Sequence, residues 1–362
     1  MAIPNWSIYG SELIAFLSNM ALESSLIFLP LFAKGLGASD LEVGVIGGSY
    51  GVAYFGSSLF FGRQSDIRGR LVFIRAGMAV GAISLALQGV VSSPSGLIAV
   101  RALVGFCAGA TAPALLAYNF EAGGSTGRFA SLGSLGWLVG DVTAIFVGNY
   151  TALFLLSTAL FGLAFVAAMS MKAPELRRHP HPTTLSVGKR NAWVYLPFFL
   201  RHTGANMIWA IFPLFLEALG ATKSWVAGLT AINTGGQFLA MLFVQRFRES
   251  RMFLAGFILS AATFLGYSLA TNYLQLIPVQ MLLAVAWATL YVGALLVLMK
   301  RNAERATAAG ILYSTVNISA AVGPFVGGVV AEYMGYKALA LVACGFCLAG
   351  LAAAKALQPK RE

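Results

Sequence analysis

The chain has 362 residues, 58% of them hydrophobic and 10% charged, against roughly a quarter charged in soluble globular domains. That composition excludes an ordinary water-soluble enzyme. The net charge of +11 comes from 24 Lys and Arg against 13 Asp and Glu. In a soluble protein such an excess would point to nucleic acid, but in a chain this apolar it belongs to membrane topology and no nucleic-acid partner is expected.

At about 20 apolar residues per span, the length accommodates roughly twelve membrane helices. Twelve apolar segments can be marked in chain order: 6–33, 41–62, 72–92, 96–120, 129–149, 151–171, 192–217, 224–245, 252–271, 273–299, 307–331 and 336–357. Helices are expected throughout, because a barrel would show short alternating strands instead. The opening MAIPNWSIYG carries neither a basic region nor a small-residue cleavage site, so the first segment is expected to be retained as a span. Connections such as Ser92-Ser93-Pro94-Ser95 and Gly148-Asn149-Tyr150 are very short. Only the basic, proline-rich stretch from Met171 to Asn191 is long, and it separates six segments from six. The expected organisation is an N-terminal six-helix bundle at 1–172, a cytoplasmic central loop at 173–190 and a C-terminal six-helix bundle at 191–362.

Two patterns with metal or redox overtones fall in this framework. His179 and His181 alternate with Pro180 and Pro182 in the central loop, with no cysteine nearby, and read as a solvated linker. Cys344 and Cys347 form a C-x-x-C inside the last apolar segment, with no second pair, and read as helix packing. No metal site and no cofactor is expected.

Placing the N-terminus in the cytoplasm puts nineteen of the 24 Lys and Arg residues on the inner connections and termini. Only Lys34, Lys223 and Lys337 fall outside, while Arg101 and Arg201 lie within segments. Positive-inside sorting predicts such an asymmetry, so both termini and the central loop are expected in the cytoplasm of a multi-pass protein of the plasma or inner membrane. An internal repeat follows the same division. Pro30-Leu31-Phe32 with Leu36-Gly37-Ala38-Ser39 recurs as Pro213-Leu214-Phe215 with Leu219-Gly220-Ala221-Thr222, at an offset of 183 residues. Arg128-x4-Gly133 recurs as Arg305-x4-Gly310, and Leu97-Ile98-Ala99-Val100 as Leu276-Ile277-Pro278-Val279. Two halves related by a parallel repeat are a transporter architecture, with the solute site near the midplane.

The connection after the second segment reads Gly62-Arg63-Gln64-Ser65-Asp66-Ile67-Arg68-Gly69-Arg70. It resembles the G-x-x-x-D-R-x-G-R signature of the major facilitator superfamily, at the position where that signature belongs. Arg101-x3-Gly105-x3-Gly109 in the fourth segment is similar to the R-x-x-x-G motif of the same superfamily, and Gly323-Pro324-x2-Gly327-Gly328 in the eleventh to the G-P-x-x-G-G motif of its proton-coupled exporters. The resemblance implies an all-α polytopic membrane protein with twelve transmembrane helices in two six-helix bundles, working by alternating access. There are departures. Ile67 replaces the first signature arginine, and Leu71 stands where a basic residue is common. The fifth segment, where exporters carry the G-P-x-x-G-G motif, reads Gly136-Trp137-Leu138-Val139-Gly140-Asp141. The second-half copy of the signature has decayed to Gln245-Arg246-Phe247-Arg248-Glu249.

Within the signature, Gly62 and Gly69 permit tight turns and close backbone approach. Asp66 offers a carboxylate to an arginine or to a neighbouring helix N-terminus, so that Gly62, Asp66, Arg68, Gly69 and Arg70 form a candidate gating motif. A contact of that kind made in one conformation and broken in another would set the inward/outward equilibrium.

A charge at the bilayer centre costs about 2.5–3.5 kcal/mol on insertion scales, so each one needs a reason. Glu12, Asn19 and Glu23 form one stripe on the first segment at helical spacing. Arg201, His202, Asn206 and Trp209 cluster on the seventh segment, and Gln280, Trp287 and Tyr291 form a stripe on the tenth. With Arg101 on the fourth, the polar stripes fall on the segments that, by the resemblance, line the central cavity. Counting rises of about 1.5 Å per residue, Arg101 lies roughly 8 Å deep, Asp141 roughly 12 Å and Glu23 roughly 15 Å. Glu23, Arg101 and Asp141 are therefore the candidate proton-coupling group, with Arg101 pairing alternately with the two carboxylates; a permanent ion pair holding the first half together is the alternative. Arg201 and His202 would attract an anionic group, or Arg201 would pair with Glu12. Candidate solute contacts are Asn19, Arg201, His202, Asn206, Trp209, Asn233, Gln237, Gln280, Trp287, Tyr291, Tyr313 and Asn317, several of which would serve equally well as interhelical hydrogen bonds.

The expected function is secondary active transport of a small organic solute by a monomer in the lipid bilayer, coupled to protons and directed outward. Uptake or facilitated passage of a polar or anionic metabolite is the alternative. No clustered acids or histidines of a membrane transferase are present, and the absence of a phosphate-binding glycine loop with Lys and Ser/Thr removes ATP as the energy source.

Overall fold

The computed structural model describes residues 5–26, 28–38, 40–147, 149–172, 183–209 and 211–358. His179 and His181 lie outside the described residues. Among those described, the chain forms fourteen α-helices and one 3₁₀ turn, with no strand. The first half contains α1 (Asn5–Leu26), α2 (Leu29–Gly35), α3 (Asp40–Arg68), α4 (Arg70–Gln88), α5 (Pro94–Glu121), α6 (Thr126–Val147) and α7 (Tyr150–Ser170). A short α8 (Thr184–Arg190) leads to α9 (Ala192–Trp209), α10 (Phe212–Ala218), α11 (Lys223–Val244) and α12 (Glu249–Leu269). The 3₁₀ turn Tyr273–Gln275 precedes α13 (Leu276–Arg301), and α14 (Arg305–Leu357) closes the chain.

Among the described residues each expected apolar segment is built mainly of helix, but the correspondence to twelve spans is not one to one. Seven helices among the described residues are long and apolar enough to cross a membrane, or up to eight if α1 and α2, bent by 41° relative to each other, form one span. The breaks have local causes. Proline opens both α2 (Pro30) and α10 (Pro213), at positions where its missing N–H is harmless. The 53-residue α14 contains the eleventh and twelfth expected segments, and Gly335, at φ 78° and ψ 172°, kinks it where an interhelical loop was expected. Ser93 and Asn149 cap α5 and α7, accepting from the amides of Gly96 and Ala152.

The internal repeat appears as repeated geometry. After α2, Gly37 at φ 83° lets its own N–H donate to the Lys34 carbonyl at 2.9 Å and the Ala38 N–H reach Ala33 at 3.0 Å. After α10, Gly220 at φ 85° donates to Glu217 at 2.9 Å and Ala221 to Leu216 at 3.0 Å. Both are helix-terminating hooks closed by a left-handed glycine.

The chain divides into two compact units: Met1–Val187 with Met299–Ser314, and Gly188–Leu298 with Thr315–Glu362. In the first, α1 packs on α6 and α7, and α5 on α3 and α4. The start of α14 belongs to this unit because glycines let its backbone touch α3. A Cβ on Gly62 would lie 2.6 Å from the Ala306 carbonyl oxygen, and one on Gly310 would overlap the Ser58 carbonyl. In the second unit, Gly323 and Gly327 of α14 press on Thr203, Asn206 and Met207 of α9, while Gly256 of α12 and Gly293 of α13 seat the two helices on each other.

Close approach of this kind predicts which glycines tolerate a side chain. A Cβ on Gly105 would overlap the Tyr50 carbonyl, whereas Gly47 has open space. Gly105→Leu is expected to destabilise the folded protein by about 2 kcal/mol, visible as a lower apparent melting temperature in detergent. Gly47→Leu is expected to melt with the parent chain.

Candidate functional site

In the first unit the polar stripe of α1 closes, residue by residue, onto α6. Glu12, 2% exposed, is ion-paired with Arg128 through Nη2, and Arg128 Nε donates to the same carboxylate oxygen at 2.9 Å. Two turns further along α1, Trp137 Nε1 donates to Asn19 Oδ1 at 2.6 Å. Beyond it, the carboxyl groups of Glu23 and Asp141 lie within hydrogen-bonding range of each other. The separations along the chain are 116, 118 and 118 residues, so the helices run side by side in parallel and in register. Gly136 and Gly140 make this possible: a Cβ on Gly140 would sit 2.9 Å from Glu23 Cβ, and one on Gly136 would overlap the Phe16 carbonyl.

Arg101 stands next to this pair without bonding to it. Its charge acts on Glu23, yet Nη1 donates to Gln88 Oε1 at 3.2 Å and the guanidinium lies over the Tyr50 ring, 4.8 Å from its centre. Arg101 is 2% exposed, and its Nε has no partner. The expected alternation of Arg101 between two acids is thus not the arrangement seen: the acids face each other and the arginine is parked on Gln88 and Tyr50. Neither Gln88 nor Tyr50 carries any sequence mark that singles it out.

The candidate gating motif forms a second network of the same unit. Asp66 accepts from the amides of Ala306 at 3.2 Å and Thr307 at 2.7 Å, at the first turn of α14, and pairs with Arg70 at 2.5 Å. An acid on a helix N-terminus is favoured both by free N–H groups and by the helix dipole. Arg70 in turn grips Glu121 with two bonds, Nε to Oε2 at 3.2 Å and Nη2 to Oε1 at 2.8 Å, and Arg305 reaches the same Oε1 at 3.4 Å. Gly69, at φ 98°, makes the turn between α3 and α4 that brings Arg70 back beside Asp66. Arg68 is exposed. Ser58 and Ser314 extend the contact, with hydroxyl oxygens 2.7 Å apart. Glu121 and Arg305 were not foreseen as gate residues; Arg305 was visible only as one end of an internal echo.

In the second unit, Arg201 is 2% exposed and donates from Nε to Ser260 Oγ at 2.8 Å. The expected alternative partner, Glu12, is bonded to Arg128. The Arg201 guanidinium lies 5.4 Å from the centre of Trp287 and 5.9 Å from that of Phe264. Trp287 stacks with His202 at 5.0 Å and with Tyr291 at 4.9 Å. The side chains of the other candidates are engaged locally. Asn206 donates to the His202 carbonyl at 2.9 Å, Trp209 packs on Phe212 at 5.0 Å, Gln237 donates to Asn233 Oδ1 at 2.6 Å, and Asn233 donates to the Gln280 carbonyl at 3.3 Å. The side chain of Gln280 is fully buried with neither polar atom satisfied. Tyr313 meets Tyr54 edge-on at 6.4 Å within the first unit, and Asn317 is half-buried on α14 of the second.

A polytopic helical chain with buried ion pairs, duplicated helix hooks and a carboxylate clamped on a helix N-terminus describes a membrane transporter fold. The family model described as Major Facilitator Superfamily matches residues 12–202 and 194–362; the chain belongs to that superfamily, a family of transporters rather than enzymes. Over 132 residues it is 30% identical to the cephamycin export protein CmcT of Amycolatopsis lactamdurans, covering 36% of this chain and 27% of that protein. An uncharacterized MFS-type transporter of Methanocaldococcus jannaschii is also 30% identical, over 130 residues, covering 34% of this chain and 33% of the relative. The matched stretches thus span about a quarter to a third of those relatives. Among solved structures, the human organic anion transporter MFSD10 (TETRAN) superposes with a TM-score of 0.80 at 15% identity, covering 97% of this chain and 100% of that one. The E. coli fucose:proton symporter FucP does so with a TM-score of 0.81 at 16% identity, covering 99% and 100%. At such identities these similarities define the fold.

The contact between α3 and α14 predicts a cross-link. With the native cysteines replaced, Ser58→Cys together with Ser314→Cys is expected to form a disulfide under mild oxidation. After cleavage at a protease site inserted in residues 173–182, the fragments should stay together on a non-reducing gel. Asp66→Asn, which removes the carboxylate from the α14 N-terminus, is expected to slow cross-linking severalfold.

Proposed function

We propose that the chain is a secondary active transporter that moves a small organic solute across the cell membrane by alternating access, exporting it in exchange for protons, as a monomer with both termini in the cytoplasm. The observation that carries this reading is the Glu23–Asp141 carboxyl pair set beside Arg101. Two carboxyl groups held this close favour keeping a proton between them, and the nearby arginine supplies a charge that can compensate the pair once the proton has left. Loss of the proton would draw Arg101 from Gln88 toward the acids, and that movement is the coupling step.

The Asp66 clamp supplies the conformational switch. Its bonds to Ala306 and Thr307 hold the start of α14 on α3 and α4. Releasing them frees the N-terminal turns of α14 from the first unit, so the clamp biases one of two alternating states. Export is favoured by the aromatic lining around Trp287 and by the similarity to a cephamycin exporter. Proton coupling has a structural parallel in the fucose:proton symporter. Uptake or facilitated passage of an anionic metabolite is the second reading, favoured by the buried, unneutralised Arg201.

Reconstitution into liposomes with an imposed pH gradient tests the proposal. Solute flux should follow the gradient, with lumenal pH changing in step. Glu23→Gln and Asp141→Asn should each reduce gradient-driven flux by at least tenfold while leaving solute counterflow measurable. Unchanged driven flux in both variants would reduce the pair to a packing contact.

A further inference from the structure

Arg201 is a cation buried in the second unit without a counter-charge. Among the described residues its neighbours are Ser260, Trp287, Phe264, Tyr267 and Cys347, none of them acidic. Its one hydrogen bond uses Nε, and Nη2 is buried with no partner. An unneutralised charge in a low-dielectric interior is strongly unfavourable, and a permanent structural arginine would be expected to carry its acid with it, as buried Arg70 does with Asp66 and Glu121. Arg101, by comparison, has Glu23 within coulombic reach.

The geometry also selects the shape of the missing anion. A guanidinium presents five N–H donors in a planar fork and holds a carboxylate either side-on, through Nε and one Nη, or end-on, through both Nη atoms. Ser260 occupies Nε, which leaves the end-on mode. The rings of Trp287 and Phe264 lie near the guanidinium, and a planar, two-oxygen anion matches its two Nη donors better than a spherical halide. Two further polar groups of the same unit are left open: Nδ1 of His202, whose ring stacks on Trp287, and both side-chain atoms of Gln280, two turns from Trp287 on the same face of α13. Aromatic rings dominate the rest of the surroundings. We infer that the second unit binds organic carboxylates end-on through Nη1 and Nη2 of Arg201, making an amphipathic carboxylate the solute class. The step from bound to transported rests on the function proposed above.

The test uses the purified full chain in detergent, with benzoate as probe and with benzamide and sodium chloride at matched ionic strength as controls. Benzoate should raise the apparent melting temperature saturably up to tens of millimolar, while benzamide and chloride should not. Arg201→Met should abolish the benzoate response and, by removing an unpaired buried charge, melt higher than the parent chain without ligand. Arg201→Lys, which keeps the charge but loses the fork, should weaken binding at least tenfold; it carries the test if Arg201→Met does not fold. No benzoate response in the parent chain, an equal response to chloride, a response that survives Arg201→Met, or a folded Arg201→Met that melts lower would each overturn the inference. Binding and function separate cleanly. Benzoate binding that depends on Arg201, without flux of any solute in liposomes, would defeat the transport reading and leave the site standing. Flux of neutral solutes without such binding would do the reverse.

Discussion

An ionised side chain placed among apolar helices persists only where something compensates it, and this constraint orders the whole structure. The price of leaving a charge unpaired in hydrocarbon is several kcal/mol, comparable with the marginal stability of a domain. Each buried charge therefore marks either a bond that holds the fold or a place where a mobile charge arrives. Glu12 with Arg128, and Asp66 with Arg70 and the first turn of α14, are of the first kind. Under the proposed function, Arg101, resting on a neutral glutamine beside Glu23, and Arg201, resting on a serine, are of the second. The distinction follows from counting donors and acceptors around each group, and it separates scaffold from machinery within a single helix. On α1, Glu12 is locked, whereas Glu23 faces another acid across a glycine-tight contact.

The two kinds of site are mechanically connected within the first unit. α6 bears both Arg128 and Asp141, so the helix that locks one end of α1 also presents the second acid of the pair. α5 bears Arg101 near one end and Glu121, the shared acceptor of Arg70 and Arg305, at the other. A displacement of α5 that followed Arg101 would therefore be felt at the clamp on α14. No long chain of flexible parts is needed, because a helix transmits a shift of its axis nearly rigidly.

Much of this was legible in the sequence, and the part that was not has a clear physical reason. Hydropathy located the apolar segments because every helix that faces lipid must be apolar along its length. The Pro30/Gly37 and Pro213/Gly220 echo was readable because proline and glycine act through the backbone of their own residue, so equal sequence built equal hooks. The α1 stripe was readable as one face, since period alone fixes which residues point together. Which neighbour that face meets was not readable. It meets α6, where Asn19 accepts from Trp137. Asp66 was expected to seek an arginine or a helix N-terminus and holds both. Nothing in the sequence marks Gln88, Glu121 or Ser260, because an amide, a loop-proximal acid and a hydroxyl are ordinary until the fold brings an arginine to each.

The proposed function requires the polar positions of α1 and α9 to border water rather than lipid. Cysteine accessibility measures this most directly. In a chain whose native cysteines are replaced, Asn19→Cys and Asn206→Cys are to be treated in the membrane with the impermeant reagent (2-sulfonatoethyl) methanethiosulfonate, with Leu163→Cys, 58% exposed on α7, as the lipid-facing control. The account predicts labelling at the two polar positions and none at the control. Absence of labelling at both, matching Leu163→Cys, would contradict it.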